Sequence, residues 1–114
     1  MRDLHDHRIT GLRLNESSDT LTVSLTDAEG QRGADLVLVN IVDLYVDGFS
    51  LQNIVLDASV FHEKSTSFEY QRACQLLDID SENDSTFADS RTVILIQASA
   101  GAETACLASG RIAI

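Results

Sequence analysis

The sequence predicts a mainly β, antiparallel domain: a β-sandwich or partly open barrel of about six to seven strands with one covering helix. Three observations carry that expectation. Apolar residues recur with a period of two through several segments of strand length. Only one stretch shows the three-to-four-residue spacing of an amphipathic helix, and it lies late in the chain. The connections are short enough for antiparallel neighbours, and no regular strand–helix–strand alternation is present to build a parallel sheet. At 114 residues, positions 1–114 suit a single domain that can bury a core without staples.

The first strand is expected over His7 to Leu14, with Ile9, Leu12 and Leu14 as apolar positions and an irregularity at Gly11. The segment from Asn15 to Asp19 has the composition of a turn. Thr20 to Thr26 alternates cleanly, with Leu21, Val23 and Leu25 on one face and threonine or serine on the other. Asp35 to Val46 is a long apolar run. It reads as one strand buried on both faces or as two strands broken near Asn40. Asp47-Gly48 marks a turn, and Ile54 to Phe61 follows as a strand with Ile54, Leu56, Ala58 and Val60 facing one way.

The helix is announced by Thr66-Ser67-Phe68-Glu69, which has the form of a capping box with Thr66 as N-cap. Tyr70, Ala73, Cys74 and Leu77 then make one apolar stripe that fades near Asp78. Asp80 to Asp89 is expected to be an acidic loop, Arg91 to Gln97 a strand, and Glu103 to Ile114 a last strand interrupted at Gly110.

Charge narrows the function classes. Eighteen acidic residues face eight basic ones, for a net charge of −10, and Lys64 is the only lysine. Such a surface repels phosphate, which argues against nucleic acid and against an anionic membrane as partners. It attracts basic proteins and cations. The charged opening from Arg2 to Arg8 lacks the apolar core of a signal peptide, and no apolar run approaches the ~18 residues of a membrane helix. The cytoplasm is the expected compartment, with Cys74 and Cys106 reduced and buried.

Two constellations could bind metal. If His5-Asp6-His7 is extended, His5 and His7 project to one face and could chelate a transition metal, with His62 and Glu63 as further ligands. The stretch from Asp78 to Asp89 resembles an EF-hand calcium loop. Asp78, Asp80, Glu82, Asp84, Thr86 and Asp89 place oxygens at its first, third, fifth, seventh, ninth and twelfth positions. It departs from that family at Asn83, where glycine is usual, at Ser85, where the family is apolar, and at Asp89, where a bidentate glutamate is usual. Motifs for covalent catalysis or phosphate binding are absent, and no cofactor is expected beyond calcium.

The segments Leu4 to Leu12, Leu21 to Leu25 and Gln52 to Asp57 together resemble a loose group of small uncharacterised bacterial β-rich proteins, some of immunity type. The resemblance implies a β-rich bacterial domain and transfers no catalytic residue. The leading functional expectation is a non-catalytic acidic domain, of immunity or accessory type, that binds a basic protein. A calcium- or transition-metal-binding domain is the alternative, and a small enzyme the third reading. Alternating Leu107, Ile112 and Ile114 also suit a homodimer through an open last strand.

Overall fold

The computed structural model describes residues 4–110. Seven strands, one α-helix and one 3-10 helix follow in the order β1 (Arg8–Asn15), β2 (Thr20–Thr26), β3 (Gly33–Leu38), β4 (Ile41–Asp47), β5 (Ile54–Phe61), α1 (Phe68–Leu77), the 3-10 turn Asp84–Ser90, β6 (Thr92–Ala100) and β7 (Glu103–Ala108). All seven strands join one antiparallel sheet in the order β3-β2-β1-β5-β6-β7-β4. The mainly β architecture with one helix packed on it is the class that the patterning predicts.

The sheet has a weak seam. β1 and β5 share the single register pair Arg8↔Ile54, whereas the other neighbours are paired along most of their length. Backbone bonds Asp6 N to Val55 O, Val55 N to His7 O and Ile9 N to Asn53 O fasten that corner. Beyond it the two strands part, and the half β3-β2-β1 faces the half β5-β6-β7-β4 across a shared core. That core takes Ile9, Leu21, Val23, Leu25, Leu36 and Leu38 from one half and Val55, Ala58, Ile94, Ile96 and Cys106 from the other.

The long apolar run resolves into two strands. Asn40 adopts a left-handed φ of 57°, and the register slips between Ile41 and Asp43. These two events shift the phase of the alternation. Leu36, Leu38, Ile41 and Leu44 pack on the core, while Val37, Val39, Val42 and Tyr45 are left exposed. A similar slip corrects β5. Register shifts on both sides of Val55 turn Val55, rather than Ile54 and Leu56, into the core together with Ala58 and Val60. Leu56 is exposed.

The helix covers the outer face of β6 and β7. Tyr70, Ala73, Cys74 and Leu77 pack on Val93, Leu95, Ala105 and Leu107. Tyr70 meets Phe61 edge-on at 5.2 Å and stacks on Phe87 at 5.8 Å. The N-cap is Ser67, one residue later than the expected Thr66: Ser67 Oγ accepts from Tyr70 N at 3.2 Å, and Thr66 O instead accepts from Gln71 Nε2. The helix ends where Asp78 turns left-handed (φ 56°) and Ile79 N donates back to Cys74 O, a closing turn that satisfies late carbonyls. Arg72 forks onto Glu103 Oε1 at 2.8 and 3.2 Å, tying the helix to β7.

β7 is flanked by β6 and β4, so Leu107 does not lie on an open edge; Ile112 and Ile114 lie outside the described residues. The outermost strands of the sheet are β3 and β4, and β1 past Ile9 also has no partner on its β5 side. Burial pushes the thiol of Cys106 up to about 12 and raises that of Cys74, and both cysteines are buried and unpaired with each other. No helix among the described residues is long and apolar enough to cross a membrane.

One buried polar side chain holds the corner together. Asn53 Oδ1 accepts from Ser50 N at 3.0 Å and Ala102 N at 2.9 Å, and its Nδ2 donates to Ser50 O at 2.8 Å. Asn53→Ala would leave these backbone groups unpaired and is expected to cost about 2–4 kcal/mol. Its thermal midpoint should fall by roughly 10 °C or more. Asn15→Ala, in an exposed turn, is the control and should barely move the midpoint. Gly101→Ala should be at least as damaging as Asn53→Ala, because φ is +78° there and a Cβ would sit 2.3 Å from Asn53 Oδ1.

Candidate functional site

The connection from β5 to α1 and the loop after α1 run side by side and enclose an open groove of about 880 Å³. Val60 and Phe61 form its apolar part. His62, Ser65, Thr66 and Ser81 add polar groups, and Glu63, Lys64 and Glu82 complete the lining. Lys64 clamps the two sides: its ammonium pairs with the Asp84 carboxylate and lies 3.5 Å from Glu82 O. The hydrogen bond to Asp84 raises the Lys64 pKa and keeps the ammonium charged. Glu63 and Glu82 are both exposed, and no other lysine or arginine lines the groove. Chemically, the groove offers carboxylate and hydroxyl acceptors to a cationic group beside a small apolar surface.

The acidic stretch is folded otherwise than a calcium loop. Asp78 is the left-handed residue that ends α1. Asp80 Oδ1 accepts from Glu82 N at 3.0 Å, and Asn83 Oδ1 caps the 3-10 turn through Ser85 N at 2.8 Å. Asp84 is paired with Lys64, Thr86 is buried, and Asp89 sits at φ 59°. The side chains of Asp80 and Asn83 thus serve local backbone groups and that of Asp84 an ion pair, while the hydroxyl of Thr86 is buried without a partner among the described residues. The expected plain loop holds a 3-10 turn within Asp84–Ser90, kinked at Ala88 and Asp89.

The histidines lie elsewhere. Residues 4–7 form a turn, with His7 N bonded to Leu4 O and Asp6 at φ 63°, so the strand alternation that would align His5 with His7 does not operate. His5 Nδ1 lies 2.7 Å from Leu56 O, and its Nε2 lies 3.5 Å from Asp6 Oδ2. His7 Nδ1 is buried without a hydrogen-bond partner among the described residues. His62 Nδ1 is 3.3 Å from Thr92 Oγ1. No group of three or more His, Cys, Asp or Glu side chains that could hold a metal ion occurs among the described residues.

The groove brings Glu82 together with His62, Glu63 and Lys64, which the sequence places about eighteen positions away. Lys64 as the only lysine, opposite a run of carboxylates, is the signal that would have led there; the sequence offers His62, Glu63 and Glu82 only as metal ligands. Comparison with protein-family models, with curated proteins and with solved structures gives no match.

Two outcomes check this description. Calcium added to an EDTA-treated sample should leave the melting midpoint unchanged, because Asp80, Asn83 and Asp84 already have partners. A rise would mean that the loop rearranges around the ion. Cys74 and Cys106 should resist a thiol reagent at pH 8 in the native protein and react fully in denaturant. Thiol burial favours the protonated native form. Its contribution to stability is therefore complete below the unfolded thiol pKa of about 9 and is lost as pH rises toward the folded value of about 12.

Proposed function

We propose that this chain is a non-catalytic binding domain for a basic protein, of the immunity or accessory type, and that the groove beside Lys64 contributes to the contact. The observation that carries the reading is the placing of charge. Residues 41–110 hold eleven of the eighteen carboxylates and three of the eight basic side chains. Asp78, Asp80, Glu82, Asp84 and Asp89 fall within a dozen positions, and only Lys64 is seen to pair with one of them. A field of one sign over one part of a small domain speeds encounter with an opposite charge and rejects like-charged competitors.

A catalytic role draws less support. The groove is open and mostly polar, whereas small-molecule sites are usually enclosed and largely apolar. The two thiols are buried and held protonated, so neither is poised as a nucleophile.

The test is affinity capture from the native cell extract with the wild type and with a Glu63→Lys/Glu82→Lys double variant. The reading expects a specific basic protein that the wild type retains and the variant releases, with association slowing as salt rises. Equal capture by both proteins, or no specific partner at any salt, would overturn it.

A further inference from the structure

The two outer strands of the sheet are treated differently, and the difference marks one of them for a partner. An antiparallel ladder bonds alternate residues to the neighbour and turns the others outward. Asn40 O accepts from Ser109 N at 2.8 Å, which fixes that alternation for β4. Ile41 and, past the register slip, Leu44 and Val46 point their backbone groups outward. Two of those three amides are already engaged: Ile41 N with Asp19 O at 2.9 Å, and Leu44 N with the Asp43 carboxylate at 2.9 Å. A bulge and an outward carboxylate are established ways to blunt an edge. β5 uses the same devices where it leaves β1. Its register slips twice, Asp57 Oδ1 takes Ala58 N at 2.9 Å, and His5 meets Leu56 O.

β3 has no bulge, and its one carboxylate, Asp35, engages none of its outward amides. Its register with β2 runs unbroken from Gly33↔Thr26 to Leu38↔Leu21. Asp27 N donates to Arg32 O at 2.9 Å one step before that register, so this pair is a bonded one. Ala34, Leu36 and Leu38 are then bonded to β2, and the N–H and C=O of Gly33, Asp35 and Val37 face outward. No hydrogen bond among the described residues engages them. The strand carries no proline, lysine or bulge. Asp35 is its only charge, and Val37 beside it is 51% exposed. β1 also lacks a neighbour past its bulge, from Gly11 to Asn15, but exposed Arg13 stands on that stretch and would repel a basic strand.

We infer that the β3 edge from Gly33 to Val37 accepts an added strand, and that its occupant is an extended segment of a partner protein with a basic residue opposite Asp35 and an apolar one opposite Val37. The charge of the occupant rests on the reading of this chain as a binder of basic proteins. Around the edge, Asp19, Asp27, Glu29 and Asp35 outnumber Arg32. A second copy fits less well. Centring two β3 strands on each other sets Asp35 against its twin, and each copy brings a net charge of −10. Strand addition draws affinity from the backbone and selectivity from alternate side chains.

A synthetic seven-residue peptide of alternating lysine and valine is the probe, with an alternating glutamate–valine peptide as control. Amide exchange by NMR should show Gly33, Asp35 and Val37 fast in the isolated protein and at least tenfold slower with the lysine peptide. The glutamate peptide should have no effect. Val37→Pro removes an outward N–H without breaking a bond to β2, and Asp35→Lys reverses the one edge charge. Each should weaken binding at least tenfold. Protection that falls at 62–66 and 81–82 instead, binding indifferent to both variants, or no binding at low salt would overturn the inference. So would β3 amides protected without peptide in a sample that sediments as a dimer, which would assign the edge to a second copy. In native capture, loss with Glu63→Lys/Glu82→Lys but not with Val37→Pro would sink the edge and keep the proposed function. Loss with Val37→Pro alone would keep the edge and remove the groove from the contact.

Discussion

The buried carboxamide of Asn53 is the constraint on which the remaining architecture depends. It lies 4% exposed where three stretches distant in sequence converge: the turn from Gly48 to Asn53, the tip of the β6–β7 hairpin at Gly101 and Ala102, and the start of β1. Its side chain satisfies Ser50 and Ala102, and its main-chain oxygen takes Ile9 N at 2.8 Å. A buried amide is costly unless its groups are bonded, so the same network that permits burial dictates the approach of its three neighbours. Gly101 is glycine because the Asn53 oxygen occupies the space of a Cβ. A Cβ at Gly48, where φ is +79°, would likewise lie 3.1 Å from the Gly101 carbonyl oxygen.

That knot explains how one sheet can enclose a core. β1 and β5 meet at the corner that Asn53 fastens and diverge beyond it, because the slips around Ile9 and Val55 bend both strands there. The halves can then close on each other, and the connection at Val39 and Asn40 carries the chain from one to the other. Only one half receives a helix. Val93, Leu95, Ala105 and Leu107 need cover on their outer face, which α1 provides. The outer face of β2 carries Thr20, Thr22, Ser24 and Thr26 and needs none. The division of cover is thus a division of side-chain chemistry already present in the strands.

Much of this was legible in the residues. Strict alternation at Thr20 to Thr26 gave a strand with Leu21, Val23 and Leu25 buried. The Tyr70, Ala73, Cys74 and Leu77 stripe gave a helix with that face inward. Errors gathered where the alternation slips. Gly11 and Asn40 mark their irregularities in composition, but nothing marks the two slips around Val55, which put Val55 in the core in place of Ile54 and Leu56 while leaving Ala58 and Val60 on it. The Thr66 cap missed by one residue because Ser67 offers an equivalent hydroxyl to the same helix end. Site residues fared worse for a related reason. Spacing along the chain assumed that His5 and His7 were extended and that the acidic run wrapped an ion. In the fold His5–His7 make a turn, and Asp80, Asn83 and Asp84 serve the local backbone and Lys64.

Open strand edges and concentrated charge are usually separate liabilities, one inviting aggregation and the other self-repulsion. In this domain they compensate. A neutral protein with an unblunted edge like β3 would pair with its own kind. A net charge of −10, with Asp35 in the middle of that edge, opposes such pairing while favouring a basic strand. On β4 and β5, Asp43 and Asp57 each take a backbone amide of the following residue. Asp35 differs from both: its carboxylate accepts from no backbone amide among the described residues. On the inference drawn for β3, its charge selects what pairs there without preventing the pairing itself.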